Sequence, residues 1–132
     1  MQSRRLALSL LLAASSLVSG GCFLIAAGAG AAGAIAYTNR GATSVVSGSV
    51  DQVFDRTGSA FQQAGVTETG RSTEDSGRQR KLVGTKGEYE VTAELSRSTD
   101  STTKVEITAR KNAVEYDKEM AKDILNRILT TR

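Results

Sequence analysis

The chain has 132 residues, which is the length of one small domain with a terminal extension. It contains no histidine and one cysteine, Cys22, so histidine-based triads, histidine-ligated zinc sites and internal disulfides are excluded. Removal of residues 1–21 leaves 15 basic and 14 acidic side chains, a net charge of +1. A near-neutral domain with 5% aromatic residues gives no case for nucleic-acid binding.

Residues 1–21 have the layout of a secretory signal peptide. Arg4 and Arg5 supply the positive start, and an apolar stretch over residues 6–14 is interrupted only by Ser9. This stretch is shorter than the roughly 20 residues that a membrane-spanning helix needs. We therefore predict that residues 1–21 direct export and are then removed.

The end of this leader resembles a lipobox, the processing signal of bacterial lipoproteins. Residues 17–22 are Leu-Val-Ser-Gly-Gly-Cys, and the small residues let the chain lie extended in a peptidase cleft. The resemblance implies cleavage between Gly21 and Cys22 and lipidation of the Cys22 thiol. A plain signal peptide with a chance cysteine and an uncleaved signal anchor are the alternatives. Phe23, rather than Asp, follows the cysteine, which by the sorting rule of enteric bacteria favours the outer membrane.

Residues 22–41 are predicted to form a Gly/Ala-rich apolar tether between the lipid and the domain. A helix from Cys22 to Tyr37 would be about 24 Å long, shorter than the roughly 30 Å hydrocarbon core of a bilayer. The alternative to a tether is an oligomeric membrane-inserted protein that uses residues 23–37 as an apolar packing helix. Such a helix would associate through its small side chains.

Two short motifs suggest chemistry that their context excludes. Gly28, Gly30 and Gly33 match G-x-G-x-x-G, but a dinucleotide fold needs a buried strand before this loop, and here the leader precedes it. Ser101 and Lys104 match S-x-x-K, but they lie at a predicted hairpin turn in a chain too short for that enzyme fold. We therefore predict that the protein is not an enzyme and holds no cofactor or metal.

Residues 42–132 are predicted to form an α+β domain that begins with a strand over residues 42–47. A capping box, Ser49-x-x-Gln52, then starts a helix that Gly65 ends. One face of this helix is apolar at helical spacing. The residues on that face are Val50, Val53, Phe54, Thr57, Phe61 and Ala64.

Four strands are predicted next, over residues 66–71, 79–86, 88–97 and 103–110. The last two alternate between apolar and polar side chains, as expected of antiparallel strands with one wet face. The inward residues are Tyr89, Val91, Ala93, Leu95, Val105, Ile107 and Ala109. A final helix begins after the N-cap Asp117 and runs to near Thr131. The order β-α-β-β-β-β-α predicts an antiparallel sheet with two helices packed on one face.

Charged residues on the strands suggest two surfaces. Glu88, Glu90 and Glu94 share a strand face, and cross-strand pairing with Lys104, Glu106, Thr108 and Arg110 of the next strand explains them without a site. The run over residues 78–81 is the densest basic segment. Its members Arg78, Arg80 and Lys81 are candidate contacts for anionic headgroups or another envelope polyanion, the alternative being a solvated strand edge.

The layout as a whole resembles a family of small bacterial lipoproteins of unknown function, which have a lipobox, a Gly/Ala-rich segment and a domain of this element order. The matching stretches are residues 19–22, 28–36, 49–65, 87–110 and 117–128. The resemblance implies location and fold and supplies no catalytic residues. We expect a lipid-anchored, non-enzymatic binding or accessory module at the periplasmic membrane surface. Its partners would be the membrane and an envelope protein; no nucleic acid is expected, and no small-molecule substrate is identified.

Overall fold

The computed structural model describes residues 33–131 of the chain. Leader, cleavage site, Cys22 and the tether up to residue 32 lie outside the described residues. A 3-10 turn, Asp75–Gly77, joins the third and fourth strands. The elements in chain order are β1 (Ala36–Tyr37), β2 (Gly41–Ser47), α1 (Val50–Gln63), β3 (Thr67–Glu74), β4 (Gln79–Lys86), β5 (Tyr89–Thr99), β6 (Thr102–Arg110) and α2 (Lys118–Thr130).

All six strands form one antiparallel sheet in the order β1-β2-β6-β5-β4-β3. Both helices pack against the same face of this sheet and against each other. The predicted architecture, an antiparallel sheet with two helices on one face, is thereby confirmed. We call the opposite side of the sheet the open face, because none of the described elements covers it.

The core fills the space between the sheet and the two helices. The alternation predicted for β5 and β6 is confirmed, since Val91, Ala93, Leu95, Val105 and Ile107 are at most 1% exposed. From the helices, the largest fully buried side chains are Val53, Thr57, Phe61, Ile124, Leu125 and Ile128.

Both predicted helix starts are confirmed. Ser49 Oγ accepts a hydrogen bond from the Gln52 N–H at 3.4 Å, and Gln52 Oε1 accepts one from the Ser49 N–H at 3.1 Å. Asp117 Oδ1 accepts the Met120 N–H at 2.8 Å. Each cap satisfies a backbone donor that the first helical turn leaves free. Gly65 follows α1 at φ +72°, as expected of a residue that ends a helix.

Strand β1 and the end of β3 lie in segments where the sequence predicts no strand. Ala36 and Tyr37 of β1 pair with Thr43 and Ala42, within the segment assigned to the tether. Strand β3 continues to Glu74, three residues past its predicted end, because β4 pairs with it along that length. The described end of the proposed packing helix, residues 33–37, is thus a turn and a strand.

The pairing of the strands places the connections between elements at two opposite ends of the domain, which we call the upper end and the lower end. The upper end carries the β2–α1 connection at residues 48–49, the β3–β4 turn at residues 75–78 and the β5–β6 turn at residues 100–101. The lower end carries the β1–β2 turn at residues 38–40, the β4–β5 turn at residues 87–88 and the β6–α2 loop at residues 111–117.

Candidate functional site

The open face carries cross-strand ion pairs, and one of them, between Glu90 and Arg110, joins the two strands between which the sequence predicts such pairing. Glu88 and Glu94 form ion pairs instead with Lys111 and Lys81, which lie outside β6. Arg110 lies opposite Glu90 in the β5–β6 register, and its Nη2 is 2.8 Å from Glu90 Oε1. Lys81 lies opposite Glu94 in the β4–β5 register, with Nζ 3.4 Å from Oε1. These side chains remain substantially exposed, so each pair contributes at most about 1 kcal/mol.

One cross-strand pair on this face joins like charges. Glu94 and Glu106 lie directly opposite each other, which is unfavourable unless nearby cations compensate. Lys81 is paired with Glu94, and Lys104 is two residues from Glu106 on the same face of β6. The two lysines therefore flank the two carboxylates.

A concave depression of about 340 Å³ lies on the open face around these four side chains. Its wall includes Ser72 of β3, Gln79 of β4 and Ser96 of β5 in addition to the charged residues. Two neighbouring carboxylates lie between two ammonium groups in it, and its hydroxyl and amide groups can donate or accept hydrogen bonds. It suits a polar partner of mixed charge better than an apolar small molecule.

The candidate basic residues Arg78, Arg80 and Lys81 do not form one patch. Lys81 lies on the open face, whereas Arg80 points to the helix face, with its guanidinium carbon 3.9 Å from the centre of the Phe54 ring. Arg80 Nη1 also donates to Asp51 Oδ1 at 2.5 Å, and its buried Nε lacks a hydrogen-bond partner among the described residues. Arg78 is exposed in the turn at the upper end and forms no ion pair within residues 33–131.

A second guanidinium near Phe54 was not identified from the sequence. The Arg71 guanidinium carbon lies 5.5 Å from the Phe54 ring centre, and Arg71 also forms an ion pair with Glu68 of the same strand. The hydrogen bond from Arg71 lowers the pKa of the Glu68 carboxyl below its ordinary value. Phe54, Arg71 and Arg80 come from three different elements, α1, β3 and β4, so no local pattern in the sequence reveals that they meet.

Ser101 and Lys104 of the S-x-x-K motif lie within the described domain, whereas the residues of the predicted leader do not. Ser101 lies in the β5–β6 turn, as predicted, and Lys104 extends from β6 onto the open face. Cys22 and Gly21 lie outside the described residues. The described chain begins at Gly33, the eleventh residue after Cys22, and the Gly33 N–H donates to the Val45 carbonyl at 2.9 Å.

Residues 33–131 contain neither a helix suited to span a membrane nor a cluster suited to hold a metal ion. No helix in this range combines the length and the apolar composition needed to span a bilayer. No group of three or more His, Cys, Asp or Glu side chains there is arranged to hold a metal ion.

Comparison with known proteins gives one result. The model of a family described as "Protein of unknown function (DUF3568)" matches residues 5–131, which is nearly the whole chain. The matched range includes most of the predicted leader and the whole tether as well as the domain. No curated protein matches the chain.

Proposed function

We propose that this chain, which belongs to the DUF3568 family, is a lipid-anchored protein of the bacterial cell envelope. Its domain serves as a non-enzymatic binding or accessory module at the periplasmic surface of the membrane. The observation that carries the proposal is Cys22, the single cysteine of the chain, placed directly after an apolar leader and three small residues. A lone thiol in an oxidising compartment is a liability unless it is consumed, and acylation consumes it.

The lipid anchor accounts for membrane attachment without a spanning helix. Each buried methylene contributes roughly 0.8 kcal/mol, so two or three acyl chains hold a small domain stably. Phe23 at the position after Cys22 favours the outer membrane, with the domain facing the periplasm.

A binding or accessory role fits the surface chemistry of the domain. Glu94 and Lys104 of the depression are exposed, and the partly exposed Lys81 forms an ion pair with Glu94. Nucleophilic catalysis requires a nucleophile hydrogen-bonded to a base, and neither Ser72 nor Ser96 of the depression makes such a hydrogen bond among residues 33–131. A polar protein of the envelope is the partner that this surface suits.

The alternative is an oligomeric membrane protein whose packing helix uses residues 23–37. Because Ala36 and Tyr37 belong to the sheet and Gly33 is bonded to β2, this helix would be confined to residues 23–32. Ten residues give about 15 Å of helix, half of the hydrocarbon thickness. We therefore favour the lipid anchor.

Metabolic labelling with a palmitate analogue tests the anchor. We expect the natural chain to be labelled and to sediment with membranes, and Cys22→Ala to lose both properties. Ser19→Ala keeps a small residue before the cleavage site and should retain the label. An unlabelled natural chain whose N-terminal fragment carries no fatty acid by mass spectrometry would refute the proposal.

Alkaline carbonate extraction of Cys22→Ala separates the two candidates. If the leader is cleaved and the unlipidated chain still resists extraction, the apolar segment inserts by itself and the alternative holds. Under our proposal, carbonate releases it.

Site-specific photo-crosslinking in intact cells tests the accessory role. A crosslinker at Ser96, inside the depression, should capture an envelope protein, whereas one at Lys118, exposed at the start of α2, should not. Equal capture at both positions, or none at Ser96, would contradict a role for the open face.

A further inference from the structure

The described chain begins at the upper end of the domain. The Gly33 N–H donates to the carbonyl of Val45, two residues before the end of β2. Independently, a Cβ atom on Gly33 would lie 3.9 Å from Cδ2 of Leu129, in the last turn of α2. Both neighbours lie towards the end that carries the turns at residues 75–78 and 100–101.

We propose that this upper end is the surface that rests against the lipid headgroups. The proposal depends on the lipid anchor at Cys22. Eleven residue steps between Cys22 and Gly33 reach at most about 40 Å when fully extended. The anchor therefore holds Gly33 close to the bilayer.

The same lengths disfavour contact through the lower end. Strand β6 has nine residues and spans about 30 Å from the upper to the lower end. To bring the lower end to the headgroups, the tether would have to run back along the domain and use about three quarters of its extended reach. Contact through the upper end requires no such extension and keeps the lower end about 30 Å farther from the bilayer.

The side chains of the upper end suit a headgroup surface. Its two turns consist of polar residues and glycine, among them Ser76, Arg78 and Ser101, which can donate hydrogen bonds to phosphate oxygens. The two exposed large apolar side chains of residues 33–131, Tyr37 and Val114, both lie towards the lower end. The upper end therefore contacts headgroups without inserting into the acyl chains.

Charge has a secondary part in this orientation. Arg80 is paired with Asp51 and Arg97 with Asp100. Arg56 brings a further guanidinium to the upper end, since its Nη2 would lie 2.8 Å from a Cβ on Gly48, and Arg78 is the basic side chain of the β3–β4 turn. The exposed Asp75 in the same turn balances it. The position of the tether, rather than electrostatic attraction, sets which end faces the bilayer.

Fluorescence quenching by lipids with nitroxide headgroups tests the orientation. Because acylation consumes the Cys22 thiol, a second cysteine introduced into the full lipidated chain gives a unique labelling position. Ser76→Cys and Ser101→Cys report the upper end, and Asn39→Cys and Val114→Cys report the lower end. In phosphatidylcholine vesicles with a minor fraction of phosphatidylglycerol, we expect quenching at residues 76 and 101 to exceed that at residues 39 and 114 several-fold.

Asn39 is the matched control, because it is only 17 residues from Cys22 whereas Ser76 is 54 residues away. Distance along the chain alone would place Asn39 nearer the bilayer, and only the fold reverses that order. Equal quenching at all four positions, or stronger quenching at residues 39 and 114, would overturn the proposal. Loss of the difference in about 0.5 M salt would overturn the claim that the tether sets the orientation.

Failure of the lipid anchor gives a different result in the same samples. An intact mass without fatty acid, together with protein that does not float with the vesicles, refutes the anchor at Cys22. A lipidated, vesicle-bound chain without the expected quenching order refutes the orientation alone.

Discussion

Arg80 of β4 covers the Phe54 ring of α1 on the helix face of the sheet, with its guanidinium carbon 3.9 Å from the ring centre. The Arg80 side chain is 24% exposed and donates to Asp51 in the first turn of α1. Cation–π attraction and burial of the aliphatic stem stabilise this position more than a surface ion pair alone would. Arg80, which belongs to the most basic segment of the chain, thus shields the edge of the core between α1 and β4 from solvent.

Truncation of Arg80 should therefore destabilise the domain. We expect Arg80→Ala to lower the free energy of unfolding by about 1–2 kcal/mol, because it exposes Phe54 and leaves Asp51 without its partner. Urea unfolding of the protein, followed by circular dichroism, measures the change. Arg78→Ala, two residues away and exposed, should change stability by less than about 0.5 kcal/mol. Equal losses in the two variants would contradict the packing role of Arg80.

The position of Arg80 and Lys81 on opposite faces of the sheet follows from the strand that the sequence predicts over residues 79–86. Residues 79–86 were predicted as a strand, and neighbouring side chains of a strand point to opposite faces. Arg80 and Lys81 therefore cannot belong to one contact surface. The aromatic partner of Arg80 was beyond prediction, because Phe54 lies on α1 and only the packing of helix on sheet brings the two together.

Two glycines should respond in opposite ways to the same substitution. A Cβ on Gly41 would lie 1.9 Å from the carbonyl oxygen of Ile107, so the β2 or β6 backbone must shift. We expect Gly41→Ala to cost more than about 2 kcal/mol. Gly58 lies in α1 with no atom within 4 Å of such a Cβ, so Gly58→Ala should add about 0.5–1 kcal/mol. Thermal unfolding compares the two, and a stabilised Gly41→Ala would disprove the close approach.

Glu68 should make a small contribution to acid sensitivity. Because the hydrogen bond from Arg71 lowers its pKa in the folded state, its stabilising effect is complete above roughly pH 5 and disappears as the pH falls through the lowered pKa. Since Glu68 is 32% and Arg71 57% exposed, we expect less than about 1 kcal/mol. The carboxyl pKa, followed by NMR titration, should rise towards its ordinary value in Arg71→Met. An unchanged titration curve would contradict the assigned cause.

The sequence predicted helices and central strands better than the edges of the sheet. Helix periodicity and the caps at Ser49 and Asp117 are local signals, and the alternation in β5 and β6 is set by one buried face. By contrast, β1 has two residues, too few for a period, and the end of β3 is polar because the strand lies at the sheet edge. Sheet order is non-local, and no residue pattern places β2 beside β6.

The hydroxyl of Tyr37 should hold β1 against α2. It donates to Glu119 Oε1 at 2.7 Å, and Lys122 Nζ lies 5.5 Å from the ring centre. Loss of one such hydrogen bond costs about 0.5–1.5 kcal/mol, so Tyr37→Phe should speed amide exchange at Gly33 and Thr38 about 2- to 10-fold.

Global stability should barely change in Tyr37→Phe, because β1 lies at the edge of the sheet and opens without unfolding the core. Tyr116→Phe is the control, since the Tyr116 hydroxyl makes no hydrogen bond among residues 33–131, and exchange at Gly33 should match the natural chain. Equal exchange rates in both variants would mean that pairing with β2 alone holds β1. Faster exchange confined to Tyr37→Phe would identify the Glu119 contact as the link between the tether and the helix layer.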